Sequence, residues 1–120
     1  MVTEQLSKNF YLSEFSCSCG CGFDDIDSRV VSILQEIRDH YGAPVTITSG
    51  CRCRHHNALV GGSPNSQHLC GKAADFKVKG VAPSEVVAYI DEKHPNTLGL
   101  GEYSSWVHVD VRRGRVRWKL

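Results

Sequence analysis

The segment Trp106-Val107-His108-Val109-Asp110-Val111 alternates without a break. Side chains on a strand point to opposite faces with period two, so this stretch predicts a strand with Val107, Val109 and Val111 on an apolar back. Trp106, His108 and Asp110 then share the front. An apolar back needs a core behind it, and a Trp/His/Asp front suits the floor of a site. Taken alone, the same alternation also fits a polar stripe facing solvent.

The rest of the chain supplies that core. Asp24, Asp25 and Asp27 stand where a helix start favours acids, and Val30, Ile33, Leu34, Ile37 and Tyr41 recur at helical spacing until Gly42. Pro44 precedes a β-branched strand, Val45 to Thr48, which leads into a loop from Ser49 to Gly62. Ala73 to Val78 reads as a strand containing Asp75, and a second helix runs from Pro83 through Val86, Val87 and Ile90 to about His94. Strands follow at Leu98 to Tyr103, Trp106 to Val111 and Arg115 to Leu120, the last two joined as a hairpin through Arg113-Gly114. The class is α+β, a small antiparallel sheet packed against two main helices. With 120 residues and 13.3 kDa the chain is expected to be one domain, with residues 1–25 as a Cys-rich N-terminal extension.

Composition narrows the function. A formal charge of +1 gives no global electrostatic reason to expect nucleic acid. Glu4, Lys8 and Glu14 interrupt the N-terminal segment, so neither a signal peptide nor membrane insertion is expected, and synthesis in a cytoplasm follows. Six Cys and six His in so short a chain are abundant candidate metal ligands. Cys17, Cys19 and Cys21 form a C-x-C-x-C run and Cys51 with Cys53 a second C-x-C; disulfides and a thiolate metal site both remain open for them. Cys70 reads as a small buried hydrophobe. The basic tail Arg112, Arg113, Arg115, Arg117 and Lys119 reads as an edge strand protected by charge, with attraction to anionic polymers as the alternative.

A second segment carries chemistry of its own. In Ser66-Gln67-His68-Leu69-Cys70-Gly71-Lys72-Ala73-Ala74-Asp75, a loop His precedes a strand Asp with small residues between them, so that imidazole and carboxylate can converge on one ion. With His108 they make two imidazoles and a carboxylate, a set known for catalytic zinc, in which three protein ligands leave one position for water.

Ser66-x-His68-x-x-Gly71-x-Ala73-x-Asp75 followed by Trp106-Val107-His108-Val109-Asp110 resembles the paired signature of the zinc D-Ala-D-Ala carboxypeptidases and L-alanyl-D-glutamate endopeptidases, peptidase family M15. Thr48-Ser49-Gly50-Cys51-Arg52, His56-Asn57, Gly99-x-Gly101-x-Tyr103 and Val111-Arg112 extend the likeness over roughly Asp27 to Trp118. The resemblance implies a fold like that of the Hedgehog signalling domain and the D,D-peptidases, with Zn2+ held by His68, Asp75 and His108. It also implies that Arg52 holds the carbonyl oxygen or carboxylate of the substrate; Arg54 is the nearby alternative. Relatives place an acidic base three residues before the last ligand His, where this chain has Ser105. Asp110, as base or as orienter of a ligand imidazole, and Glu102, folded over the metal, are the substitutes.

The implied activity is metal-assisted hydrolysis of a peptidoglycan stem peptide beside a D-amino acid, by a carboxypeptidase or an endolysin-type endopeptidase. The expected protein is a monomer that reaches the bacterial wall after release or as part of a virion. A non-catalytic zinc-containing binding module of the same fold is the alternative.

Overall fold

The computed structural model describes residues 4–120. Helix α1 (Ser28–Tyr41) forms where acids and apolar spacing place it. The Asp27 carboxylate accepts the Arg29 N–H at 2.8 Å, and Gly42 closes the helix by donating its N–H to the Arg38 carbonyl at 3.0 Å. The helix buries Val30, Val31, Ile33, Leu34 and Ile37. After a short helix α2 (Arg54–Leu59), helix α3 (Pro83–Lys93) starts on proline and turns Val86 and Ile90 inward.

Strands β1 (Gln5–Ser7) and β2 (Phe10–Tyr11) form a two-stranded pair near the N-terminus. Strands β3 (Val45–Ser49), β4 (Ala73–Val78), β5 (Gly99–Glu102), β6 (Val107–Asp110) and β7 (Val116–Lys119) make a five-stranded sheet in the order β3-β4-β6-β5-β7. One face carries Ala74, Phe76, Val78, Leu100, Val107 and Val109, which join the inward residues of α1 and α3 in one apolar core. Phe10 and Phe15 complete that core from the N-terminal segment, their ring centroids 6.2 Å apart. Among the described residues no helix is long and apolar enough to cross a membrane.

Four expectations are corrected. The sheet is mixed, because β7 runs parallel to β5. The expected hairpin between the last two strands is absent: β4 and β5 occupy both edges of β6, so β7 takes the open edge of β5. The chain reverses around Arg113-Gly114, and a strand antiparallel in direction to β6 is necessarily parallel to β5. Helix α2 lies in the stretch read as loop; its end exposes Leu59 and Val60, so no apolar stripe marks it in the sequence. Cys70 is exposed, not buried.

Candidate metal centre

One row of residues crosses the polar face of the sheet from edge to edge. Ser49, Asp75, His108, Gly101 and Trp118 are successive register partners across β3, β4, β6, β5 and β7. His68 enters from above, on a 3-10 turn (Gln67–Cys70) capped by the Ser66 hydroxyl, which accepts the His68 backbone N–H at 3.2 Å. Gly71 ends that turn with φ 66°, packed so closely on the Asp25 carbonyl that a Cβ would collide with it. The Asp27 N–H donates to the Gly71 carbonyl at 2.7 Å, pinning the turn to the start of α1.

One ligand atom each from His68, Asp75 and His108 lie within 4.8 Å of one another. Their hydrogen-bond partners fix which nitrogens are free. His68 Nδ1 lies 2.6 Å from the Gly50 carbonyl, which can only accept, so Nδ1 carries a proton and, in the neutral ring, the lone pair is on Nε2. That Nε2 is the one buried side-chain nitrogen or oxygen among the described residues without a hydrogen-bond partner. It points at Asp75 Oδ1 from 3.3 Å, lone pair to lone pair. On the other side, His108 Nε2 donates to Asp110 Oδ2 at 2.8 Å, which turns Nδ1 toward Asp75 Oδ1 at 2.9 Å.

An orphaned buried nitrogen facing a carboxylate is a costly arrangement that a cation at this point relieves. Two imidazoles and one carboxylate oxygen suit zinc, so the residues fit the metal that the sequence implies. Electrostatics keeps Asp75 ionised, as a ligand carboxylate must be. Burial raises the Asp75 carboxyl, but the His108 hydrogen bond and the closeness of the two imidazoles outweigh it and hold the group below the ordinary carboxylate range. Burial disfavours the His108 imidazolium, yet Asp110 and Asp75 outweigh that and raise its pKa.

Arg52 lies beside the cluster. Its Nη2 donates to Asp75 Oδ2 at 3.2 Å, while Nε donates to the Ser49 hydroxyl at 3.0 Å and Nη1 to Asn57 Oδ1 at 3.2 Å. Arg54, the alternative, does not line the cleft that opens over the cluster. Asp110 is fully buried on the far side of the His108 ring. It accepts from Arg112 Nε and Nη2, both at 2.7 Å, and burial, which would raise its pKa, loses to the bonds from His108 and Arg112. This places it as an orienter of His108 and out of reach as a base. Glu102 is on the opposite face, in register with Val107, and pairs with Lys119 at 3.5 Å, so it does not fold over the cluster. Ser105 is exposed and likewise does not line the cleft.

The cleft has a volume of about 610 Å³ and an aromatic wall. Tyr103 and Trp106 stack with centroids 4.5 Å apart, and Trp118 donates its indole N–H to the Tyr103 hydroxyl at 3.0 Å. The sequence reading gave Trp118 no role in the site, and it missed the grip of Arg112 on Asp110, having placed Arg112 in a charged tail. The signal was there: Gly101 and Gly99 stand where a Cβ would strike the Trp118 indole and the Asp110 carboxylate.

A family model described as Peptidase M15 matches residues 8–110. No curated protein matches the chain.

Proposed function

Because the chain belongs to the peptidase M15 family, we propose that it is a zinc-dependent peptidase that hydrolyses peptide bonds in peptidoglycan stem peptides, reaching the wall after release from the cell or on a virion. The observation that carries the metal part of this reading is the buried, unpartnered Nε2 of His68 aimed at Asp75 beside His108. His68, Asp75 and His108 would hold the ion, and the bound zinc supplies a Lewis acid that polarises a carbonyl and lowers the pKa of water toward ~7.

The chain's own residues do the rest. Asp110, gripped by Arg112, keeps the His108 proton on Nε2 and so keeps Nδ1 available for the ion. Arg52, held by Ser49 and Asn57, presents a fixed positive charge to a developing oxyanion or a substrate carboxylate. Tyr103, Trp106 and Trp118 offer flat apolar surface to the substrate.

A second reading has a specific observation in its favour. Among the described residues, Asp75 is the only carboxylate lining the cleft, and Asp75 is committed to the two imidazoles. A site without a free base suits a zinc-containing binding module as well as a slow enzyme. Zinc stoichiometry and mass analysis of muropeptide products, for the wild type beside His108→Ala, separate the two. Cleavage that is lost together with the metal in His108→Ala supports the peptidase. Full zinc with saturable stem-peptide binding and no product refutes it in favour of the binding module.

A further inference from the structure

Four of the six cysteines meet in one place, about which the peptidase reading says nothing. Cys17, Cys19 and Cys21 come from the N-terminal loop and Cys53 from the segment after β3, and their sulfurs all lie within 4.8 Å of one another. The Cys17 and Cys19 sulfurs are 3.4 Å apart, and those of Cys19 and Cys53 3.6 Å. A disulfide needs ~2.05 Å between sulfurs. Four thiolates around zinc at ~2.3 Å are spaced by the edge of a tetrahedron, about 3.8 Å. The observed spacings fall close to that edge.

The backbone around the cluster is also arranged for negative sulfur. The Cys53 N–H points to Cys17 Sγ at 3.4 Å, and the His56 N–H to Cys53 Sγ at 3.4 Å. Donors of this kind steady thiolates that share an ion. Gly20 and Gly22, with φ of 81° and 91°, let the loop double back so that three alternate cysteines face one point, and Gly20 closes the first turn by donating to the Cys17 carbonyl at 3.1 Å. Cys51 is buried away from the group with its thiol pushed up to about 12, chiefly by burial, and Cys70 is exposed; neither belongs to the cluster.

We propose that Cys17, Cys19, Cys21 and Cys53 form a second, structural metal site, a tetrathiolate that binds zinc and clips the N-terminal loop to the segment carrying Arg52. Four sulfur ligands close the coordination shell, so this site has no open position for water. Its purpose is mechanical. Cys53 follows Arg52 directly, and the Cys51 N–H donates to the Phe15 carbonyl at 2.8 Å, so the clip and this bond fasten the Arg52 segment on both sides. The N-terminal loop thereby supports the cleft without lining it.

The test is metal content and cobalt spectroscopy on the full chain. Wild type grown with zinc is expected to carry two metals, Cys19→Ser/Cys53→Ser one, and His68→Ala/His108→Ala one. Replacing zinc by Co2+ is expected to give intense sulfur-to-cobalt charge-transfer absorption that survives in the His variant and is lost in the Cys variant. This readout stands even if the Cys variant fails to fold, because it is taken on the wild type and the His variant. It is also independent of whether the His/Asp site binds metal or cleaves peptides. Absence of the sulfur-to-cobalt bands overturns the proposal, as does a wild-type mass lowered by disulfide formation among these four cysteines, or all four reacting freely with a thiol reagent in the zinc-replete folded protein.

Discussion

Replacing Asp110 by Asn leaves its volume intact and removes its charge. The buried carboxylate receives four N–H groups: His108 Nε2 at 2.8 Å, Arg112 Nε and Nη2 at 2.7 Å each, and the Arg112 backbone N–H at 3.2 Å. A carboxamide has one acceptor oxygen and two donor hydrogens. With the oxygen at the Oδ1 position, on Arg112 Nε and the Arg112 backbone N–H, the NH2 group faces Arg112 Nη2 and His108 Nε2 together, and this favours a lone pair on His108 Nε2 and a proton on Nδ1, the nitrogen turned toward Asp75. With the oxygen on His108, the NH2 group confronts a guanidinium that can only donate. Loss of the partner that orients a ligand histidine costs about 10–100-fold in metal affinity, equivalent to about 1.4–2.7 kcal/mol.

A separate cost falls on the metal-free protein. Breaking a buried charged pair costs roughly 3–5 kcal/mol, and the low end applies because the Arg112 side chain is 31% exposed and can reach water. Chelator competition measures the affinity, and urea unfolding with and without zinc measures both stabilities. The metal-free variant is expected to lose about 3 kcal/mol, and at a fixed saturating zinc concentration the zinc-dependent increment shrinks by a further ~1.4 kcal/mol for each tenfold loss of affinity. A folded Asp110→Asn protein that binds zinc at the His/Asp site as tightly as the wild type would falsify the reasoning, because Asp110 would then not be setting the His108 tautomer.

Arg52→Lys keeps a positive charge but cannot reach Ser49, Asn57 and Asp75 together; kcat/KM for stem-peptide cleavage is expected to fall by about 10²–10³, with zinc content unchanged, and an unchanged rate removes Arg52 from the site. In Gly101→Ala the new Cβ would sit 2.5 Å from the Trp118 ring. Stability should drop by about 1–3 kcal/mol and Trp fluorescence should shift as the indole moves out of the cleft; a wild-type spectrum and midpoint would contradict the close approach. Asp27→Ala removes the cap of α1 at a cost of about 1 kcal/mol. The hydrogen bond from Arg29 holds the Asp27 carboxyl below its usual range. Its contribution is therefore present above the unfolded-state pKa and lost as pH falls through the lower folded value. Chemical denaturation across acid pH should show the wild type and variant converging there, and a gap that persists after protonation would argue against the cap.

The parts legible in the sequence are those in which local pattern and tertiary context ask for the same thing. The apolar spacing of α1, ended by Gly42, and the alternation of β6 each follow from one-sided burial, and both stand where the spacing puts them. His68, Asp75 and His108 were legible because a short turn of small residues joins the first two, while register pairing brings Asp75 to His108. The side of the sheet taken by β7 was not, because it depends on β4 and β5 having filled both edges of β6, which no local signal records. Glu102 was misplaced for a related reason. Its strand had no clear alternation, since Gly99 and Gly101 carry no side chain to mark the face, and the parity that sends Glu102 to the opposite side is visible only in the register.

That register makes the site and the core two readings of one pairing. Asp75 opposite His108 and Phe76 opposite Val107 are adjacent rows of the same ladder, and moving either strand by one position would exchange them, sending imidazole into the apolar interior and valine into the cleft. A chain that paired wrongly could therefore neither bury its hydrocarbon nor bring Asp75 to His108. The penalty for misplaced apolar side chains also selects, during folding, the register that sets Asp75 opposite His108.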